Sequence, residues 1–265
     1  MITRKSDFEI SRMRKAGEIV ARILSRVVLA IDVGISTKEL DELAETAIRE
    51  FGVKSAFKGY QGFPACLCIS VNDQVVHGIP GPRKLKSGDI VGLDFGVAYE
   101  GYYGDAAVTV GVGKVATEHQ RLIEVTKEAL WKGLAKARAG NRLSDISRAV
   151  QKHVQKNKFS VVRDFVGHGI GQSMHEDPQI PNYVPAFGLG YDPVLKPGMT
   201  LAIEPMVNAG TYKVRVNPED RWTVTTADGS YSAHFEHTVL VTEDEPEVLT
   251  RVSELEGEAE GLVSW

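Results

Sequence analysis

The sequence predicts an α+β fold made of two related α/β halves, about residues 5–112 and 117–242, inside one domain spanning 1–265. Three observations predict it. Three capping boxes, each followed by a helical stretch, and one further helical stretch mark four helices, arranged as two pairs. Short apolar-rich runs mark six strands. The same series of marks then occurs twice in the same order.

The helices come first. Ser6 with Glu9 forms a capping box that opens a helix running to about Ile31, and Ser36 with Glu39 opens a second to about Phe51. Thr117 with Gln120 repeats the pattern for a helix to about Ala139, stopped by Gly140. A fourth spans about Ser144 to Asn157. Arg12, Lys15, Arg22 and Arg26 share much of one face of the first helix and read as a solvated charged face. Strands are expected at Ala65–Val71, Asp89–Gly96, Tyr103–Val112, Thr200–Val207, Thr223–Ala227 and His234–Val241. The acidic, weakly patterned stretch from Glu243 is expected on the surface.

The duplication rests on four matches. Val33-Gly34 and Ala139-Gly140 each separate two helices. Val76-His77-Gly78-Ile79 resembles Gly167-His168-Gly169-Ile170. Leu85-Lys-Ser-Gly88 and Leu195-Lys-Pro-Gly198 are each followed, six positions after the glycine, by a carboxylate on an apolar strand: Asp94 and Glu204. One such match is cheap; four in one order indicate a pseudo-twofold relation.

Composition sets the outer limits. Of 265 residues, 43% are hydrophobic and 25% charged, with 31 Lys+Arg against 35 Asp+Glu and a net charge of −4. These values exclude a disordered chain, a collagen-like repeat and a basic nucleic-acid binder. Glycine, at 26 residues, exceeds the usual ~7% and points to many tight turns or close approaches. Met1–Glu9 is polar and no apolar run reaches the ~18 residues that span a bilayer, so neither an export signal nor a membrane segment is expected. The expected location is the reducing cytoplasm, with Cys66 and Cys68 as thiols; a zinc ribbon would need two more cysteines.

Each half supplies a second carboxylate on a later strand. Asp105 follows Asp94 by eleven positions across Gly96, Gly101 and Gly104, which places the two on adjacent legs of a hairpin. Glu236 lies in His234-Phe-Glu-His237, on the face opposite Phe235 and His237. Pairing of the halves brings Asp94, Asp105, Glu204 and Glu236 together with His77 and His168. Four bare carboxylates would repel and take up protons. Two divalent cations balance them, and carboxylates can bridge two ions ~3.5–4 Å apart where imidazole cannot. Such a pair activates water near neutral pH. A lone Asp or His is more often structural, and neither His234-Phe-Glu-His237 nor His175-Glu-Asp-Pro178 is the helical HExxH zinc motif. Repetition of buried-strand carboxylates without basic partners outweighs that reading.

The motifs Gly59-Tyr60-Gln-Gly62-Phe63-Pro64, Cys68-Ile-Ser-Val-Asn72, Val76-His77-Gly78-Ile79-Pro80, Asp94-Phe-Gly, Gly104-Asp105, Gly167-His168-Gly-Ile-Gly171, Met174-His175-Glu-Asp-Pro178, Ile203-Glu204-Pro205 and Phe235-Glu236-His237-Thr238 are specific. With them the chain, from about residue 7 to 242, resembles the type I methionine aminopeptidases in their short bacterial form. The resemblance implies the pita-bread fold, with two pseudo-symmetric α/β halves around a dinuclear metal cleft. It implies Asp94 on one metal, His168 and Glu204 on the other, and Asp105 and Glu236 as bridges. It makes His77 and His175 catalytic histidines that are not ligands, which breaks the symmetry of the repeat.

The implied reaction is hydrolysis of the first peptide bond, with Glu204 as proton shuttle, His175 stabilising the oxyanion and His77 contacting the scissile amide nitrogen. Phe57, Tyr60, Phe63, Cys68, Met174 and Trp222 occupy or adjoin the family's methionine pocket, where rings and polarisable sulfur suit an unbranched thioether. Cys66 stands where the family has a small serine. The cofactors implied are two divalent ions drawn from Co, Mn, Fe, Zn and Ni. The substrates implied are nascent-chain N-termini with a small second residue. A monomer is expected, and ribosome association is compatible with that substrate although no basic tail supports it. Two other readings share the fold. A proline-specific peptidase, Xaa-Pro aminopeptidase or prolidase, would keep the ligands and both histidines but is disfavoured by the short chain and the Tyr60–Cys68 motif. A non-enzymatic binding protein would have lost ligands, whereas all five positions are filled.

Overall fold

The structure, a computed structural model, describes residues 2–251. Its α-helices are α1 (Asp7–Leu29), α2 (Thr37–Phe51), α3 (Thr117–Leu134) and α4 (Leu143–Lys156). In chain order its strands are β1 (Lys54–Ser55), β2 (Cys68–Val71), β3 (Gln74–Val76), β4 (Ile90–Tyr99), β5 (Tyr102–Gly111), β6 (Ser160–Val161), β7 (Gly167–Gly169), β8 (Glu176–Ile180), β9 (Thr200–Ile203), β10 (Met206–Asn208), β11 (Val214–Val216), β12 (Val224–Thr226), β13 (Ser232–His234), β14 (Glu236–Leu240) and β15 (Glu247–Val248). The main sheet runs β1-β4-β5-β14-β9-β7-β8, with β2 also on β4 and β15 also on β14. Two three-stranded sheets, β13-β10-β6 and β11-β12-β3, complete it. No helix among the described residues is long and apolar enough to cross a membrane.

Two of the expected capping boxes form. The Ser6 N–H donates to the Glu9 carboxylate at 2.8 Å while Ser6 Oγ accepts the Glu9 N–H at 3.4 Å; Ser36 and Glu39 repeat this at 2.8 and 3.2 Å. Such a cap contributes about 0.5–2 kcal/mol. The third does not form. Ala116 takes the cap position of α3, Thr117 is already helical, and Gln120 reaches along the helix to Glu124 instead. This helix also ends at Leu134 rather than Ala139, because Lys136 and Ala137 donate three residues back and tighten the chain out of the α-helical register.

The halves carry matching backbone bonds. Gly34 N–H donates to Leu85 O and Leu85 N–H to Ile35 O, both at 2.8 Å; Gly140 donates to Leu195 at 3.1 Å and Leu195 to Asn141 at 2.8 Å. Gly88 donates to Val112 at 2.9 Å and Gly198 to Val241 at 3.0 Å. Each loop between paired helices is thus tied to the segment that leads into its half's strand carrying or ending at Asp94 or Glu204.

Helices cover one face of the main sheet. Leu93, Phe95, Val108, Leu201 and Val239 are buried in one apolar cluster with Ile19, Ile23 and Leu24 of α1 and Ile146 and Val150 of α4. Burying one such side chain contributes about 1.5–3 kcal/mol. Helix α1 crosses β5 at two glycines: a Cβ on Gly104 would stand 2.9 Å from the Gly17 nitrogen. His237 is on this face, its ring 5.6 Å from that of Trp131 on α3, as alternation against Glu236 requires.

Two expected strands are each broken in two. Thr200–Val207 divides into β9 and β10 at Glu204-Pro205, and His234–Val241 into β13 and β14 at Phe235. Pro205 cannot donate to a ladder, and there both chains leave the main sheet for the small one. The acidic stretch from Glu243 is not all surface. Glu247–Val248 pairs with β14, and Leu249 and Thr250 are buried; residues 252–265 lie outside the described residues. Cys66 and Cys68 are free, buried thiols.

Candidate metal centre

Register places the candidate ligands. Asp94 faces Ala107 across β4 and β5, Gly96 faces Asp105, and Glu236 of β14 also faces Ala107. Direct partners share a face, so Asp94, Asp105 and Glu236 project from one side of the sheet. His237 pairs with Ile203 and His168 of β7 with Ala202, which carries His168 and Glu204, just past the end of β9, to that same side. It is the face opposite the helices.

The structure gathers the thirteen residues singled out in the sequence around one cavity of about 360 Å³. They are Asp94, Asp105, His168, Glu204, Glu236, His77, His175, Phe57, Tyr60, Phe63, Cys68, Met174 and Trp222, and Gln61 joins them. Phe57, Phe63, Cys68 and Met174 pack as their own cluster with Ala56 and Ala65, and Trp222 lies against it. Phe63 and Trp222 meet edge to face with centroids 5.1 Å apart.

Ligand atoms of Asp105, His168 and Glu236 lie within 4.8 Å of one another. Glu204 Oε1 is 3.6 Å from His168 Nε2, and its Oε2 is 3.7 Å from His234 Nε2. Asp94 Oδ1, Asp105 Oδ1, Glu236 Oε1 and His234 Nε2 are buried without a hydrogen-bond partner. Burial, then the Asp105 charge, pushes Asp94 well above the usual carboxylate range, and burial raises Asp105 to about 7. Glu204 and Glu236 are driven up by burial and by the neighbouring carboxylates. Burial lowers His168 and His77 to about 4 and His234 to about 3, and also lowers His175. Orphaned carboxylate oxygens beside neutral imidazoles are a donor set that fits divalent cations, whose charge removes the repulsion.

The histidines are held differently. His168 Nδ1 faces the Gly169 carbonyl at 2.8 Å. A carbonyl only accepts, so Nδ1 carries the proton and Nε2 presents a lone pair, as a metal ligand must. His175 Nδ1 meets the Tyr60 hydroxyl at 2.9 Å, and its ring lies 4.2 Å from that of His168. His77 has a left-handed backbone, φ +59, a conformation that costs about 1–3 kcal/mol outside glycine and concentrates at functional sites. Its ring stands edge-on to Phe165 and Trp222 at 5.6 and 6.0 Å.

Three residues beyond those expected from the sequence support the site. His234 shares the alternation of Glu236, a signal present in the sequence. Asn182 Nδ2 donates to the Glu204 carbonyl at 2.9 Å, and Thr238 binds the backbone of Asp105; both contacts arise only in the folded chain.

A family model described as metallopeptidase family M24 matches residues 11–243. Over 252 residues the chain is 52% identical to methionine aminopeptidase 1 of Bacillus subtilis strain 168, covering 95% of this chain and all of that one. The crystal structure of methionine aminopeptidase from Thermotoga maritima matches with a TM-score of 0.90 at 47% identity, over 95% of this chain and all of the other. The Xaa-Pro dipeptidase of Bacillus anthracis has the same fold, with a TM-score of 0.74 and 23% identity, over 94% of this chain and 62% of that one.

Proposed function

The chain belongs to metallopeptidase family M24, and we propose that it is a metal-dependent aminopeptidase that removes the N-terminal methionine of nascent proteins and peptides. The observation that carries this is a register pair. Cys68 of β2 sits directly opposite Asp94 of β4, so the sulfur-and-aromatic wall and the carboxylate cluster are cross-strand neighbours in one cavity. A methionine side chain packed on Phe63, Cys68, Met174 and Trp222 therefore leaves its backbone beside the carboxylates.

In this reading Asp94, Asp105, His168, Glu204 and Glu236 hold two divalent ions, drawn from Co, Mn, Fe, Zn and Ni. Bound there, such ions supply Lewis-acid activation of water and of the scissile carbonyl. The chain's own groups do the rest. The pocket holds the methionine side chain so that the free amino terminus and the scissile carbonyl face the ligand cluster. Glu204 takes the proton of the attacking water on a carboxylate oxygen and returns it to the leaving amine. His175 donates to the developing oxyanion and His77 contacts the scissile amide nitrogen. The methionine side chain occupies part of a cavity of about 360 Å³, and a small second residue is expected beside it, as the likeness to methionine aminopeptidases implies. The protein is assigned to the cytoplasm as a monomer acting on nascent chains.

The rival on this fold is a proline-specific peptidase, whose likeness at 23% identity extends to the fold alone. Hydrolysis of Met-Ala-Ser and Ala-Pro peptides separates the two. The protein is expected to cleave the first, to lose activity on chelation and to regain it with one of the five ions. Cleavage of Ala-Pro alone would replace this reading with the rival.

A further inference from the structure

We propose that Tyr60 is a positioning residue for His175: its hydroxyl donates to Nδ1 and so fixes the tautomer that carries its proton on Nε2. The proposal deepens the reading above, since it rests on His175 acting as the donor to the oxyanion.

Tyr60 Oη and His175 Nδ1 are 2.9 Å apart, with the rings tilted at 33° and 5.4 Å between centroids. A neutral imidazole has one N–H, so a partner at one nitrogen decides the other. The phenol is the more acidic of the two groups and makes the stronger bond as donor. Nδ1 then accepts, and Nε2–H is the ring's remaining polar atom in a cavity lined by Asp94, Asp105, Glu204 and Glu236, all of them acceptors when ionised. The adjacent His168 shows the opposite arrangement. There a carbonyl, able only to accept, holds Nδ1–H and turns the Nε2 lone pair outward. Two imidazoles 4.2 Å apart are thereby given different work, one as ligand and one as proton donor, by the partner each Nδ1 meets.

Tyr60 is held in place for this. Its N–H donates to Phe57 O and its carbonyl accepts the Phe63 N–H, both at 2.9 Å, while Gly59 N–H donates to Phe63 O at 2.8 Å. The pocket ring and the hydroxyl are separable, because Tyr60→Phe keeps the ring and removes only the bond.

The test is nitrogen NMR of histidine-labelled, zinc-loaded full-length protein, with kinetics on Met-Ala-Ser. In the unsubstituted protein His175 is expected to show a protonated Nε2 and an unprotonated Nδ1. In Tyr60→Phe the two resonances move toward each other. At the same time kcat falls about tenfold, less than the ~10²–10³-fold lost with an oxyanion donor itself, with KM within about twofold and the metal content unchanged. A protonated Nδ1 in the unsubstituted protein, an unmoved nitrogen pair in Tyr60→Phe, or a kcat there within about twofold of normal would each overturn the proposal. His175→Ala separates the two levels. Full turnover in that variant removes the donor role on which the proposal rests. Impaired turnover there beside normal turnover in Tyr60→Phe removes the Tyr60 assignment alone.

Discussion

Thr238 completes the hydrogen bonding of Asp105. The Asp105 N–H donates to Thr238 Oγ1 at 3.1 Å, and that hydroxyl donates to the Asp105 carbonyl at 2.8 Å. Strand β14 pairs with β5 only at Glu236–Ala107 and His237–Ala106. Where the ladder stops, one side chain supplies both missing bonds, at a residue whose carboxylate lines the candidate metal centre.

Replacing that hydroxyl with a methyl leaves a buried N–H and a buried carbonyl unpaired. Thr238→Val is expected to cost about 2–4 kcal/mol, from about 1–3 kcal/mol for each orphaned group with some relief by relaxation. Its thermal midpoint should drop, and its metal content should fall with the loosened Asp105. A variant with a normal midpoint and full metal content would show that the bonds are dispensable.

Asp105→Asn and Glu236→Gln address the centre directly. Each removes a buried acceptor whose oxygen lacks a protein partner and lowers the negative charge available to a divalent cation. Both variants are expected to fold, to bind substoichiometric metal and to lose at least about 100-fold in turnover, in keeping with the loss of metal-based activation. Full peptidase activity in either would sink the shared-ligand assignment. Without metal, Asp105→Asn should be more stable than the unsubstituted protein above pH 7, since it relieves like-charge crowding.

The metal-free protein should also have a distinctive pH profile. The histidines have folded-state values below their unfolded ones, about 4 for His77 and His168 and about 3 for His234. Their stabilising contribution is complete above about pH 6.5 and is lost as pH falls. The carboxylates have the opposite sign. With Asp105 raised to about 7 and Asp94, Glu204 and Glu236 well above their usual range, their contribution is present at low pH and is lost as pH rises. From pH 6.5 to 8.5 His77, His168 and His234 are already neutral in the folded state, so the raised carboxylates set the slope. The chelated protein should therefore lose about 5 °C or more in thermal midpoint over that window, corresponding to a few kcal/mol. The metal-loaded protein should not. A flat or rising midpoint after chelation would contradict the buried-carboxylate account.

Much of the site was legible because two periodicities coincide in it. The long repeat set Asp94 against Glu204, and strand alternation set Glu236 opposite His237; both are properties of the chain as written. What escaped depends on contacts between distant segments. Nothing local to Pro205 or Phe235 says that both strands change sheets at the same level, yet that joint break puts Glu204 and Glu236 at strand ends facing the cavity. The Thr117 signal failed because Ala116, one residue earlier, already adopts the extended cap backbone, φ −63 and ψ 144. The burial of Leu249 was invisible because its partner, Gly17, lies in the first helix.

The glycines flanking His168 show where composition becomes geometry. A Cβ on Gly167 would stand 2.4 Å from the Ala202 carbonyl oxygen, and one on Gly169 would stand 2.1 Å from that of Asp177. Both oxygens are backbone, so the strands themselves must move apart. Ala202 is the register partner of His168, and any such shift displaces His168 Nε2 from Glu204 and Glu236. Gly167→Val and Gly169→Val are therefore expected to lose at least about 100-fold in turnover, since a misplacement of ~1 Å can cost that much. Lys152→Val, on an exposed position of α4, should stay within about twofold. Metal content separates the causes, because a displaced ligand lowers affinity even in the fraction that folds. Near-normal turnover in both glycine variants would mean that β7 can bow away from β8 and β9 without moving its histidine, and the close approach would then lose its functional meaning.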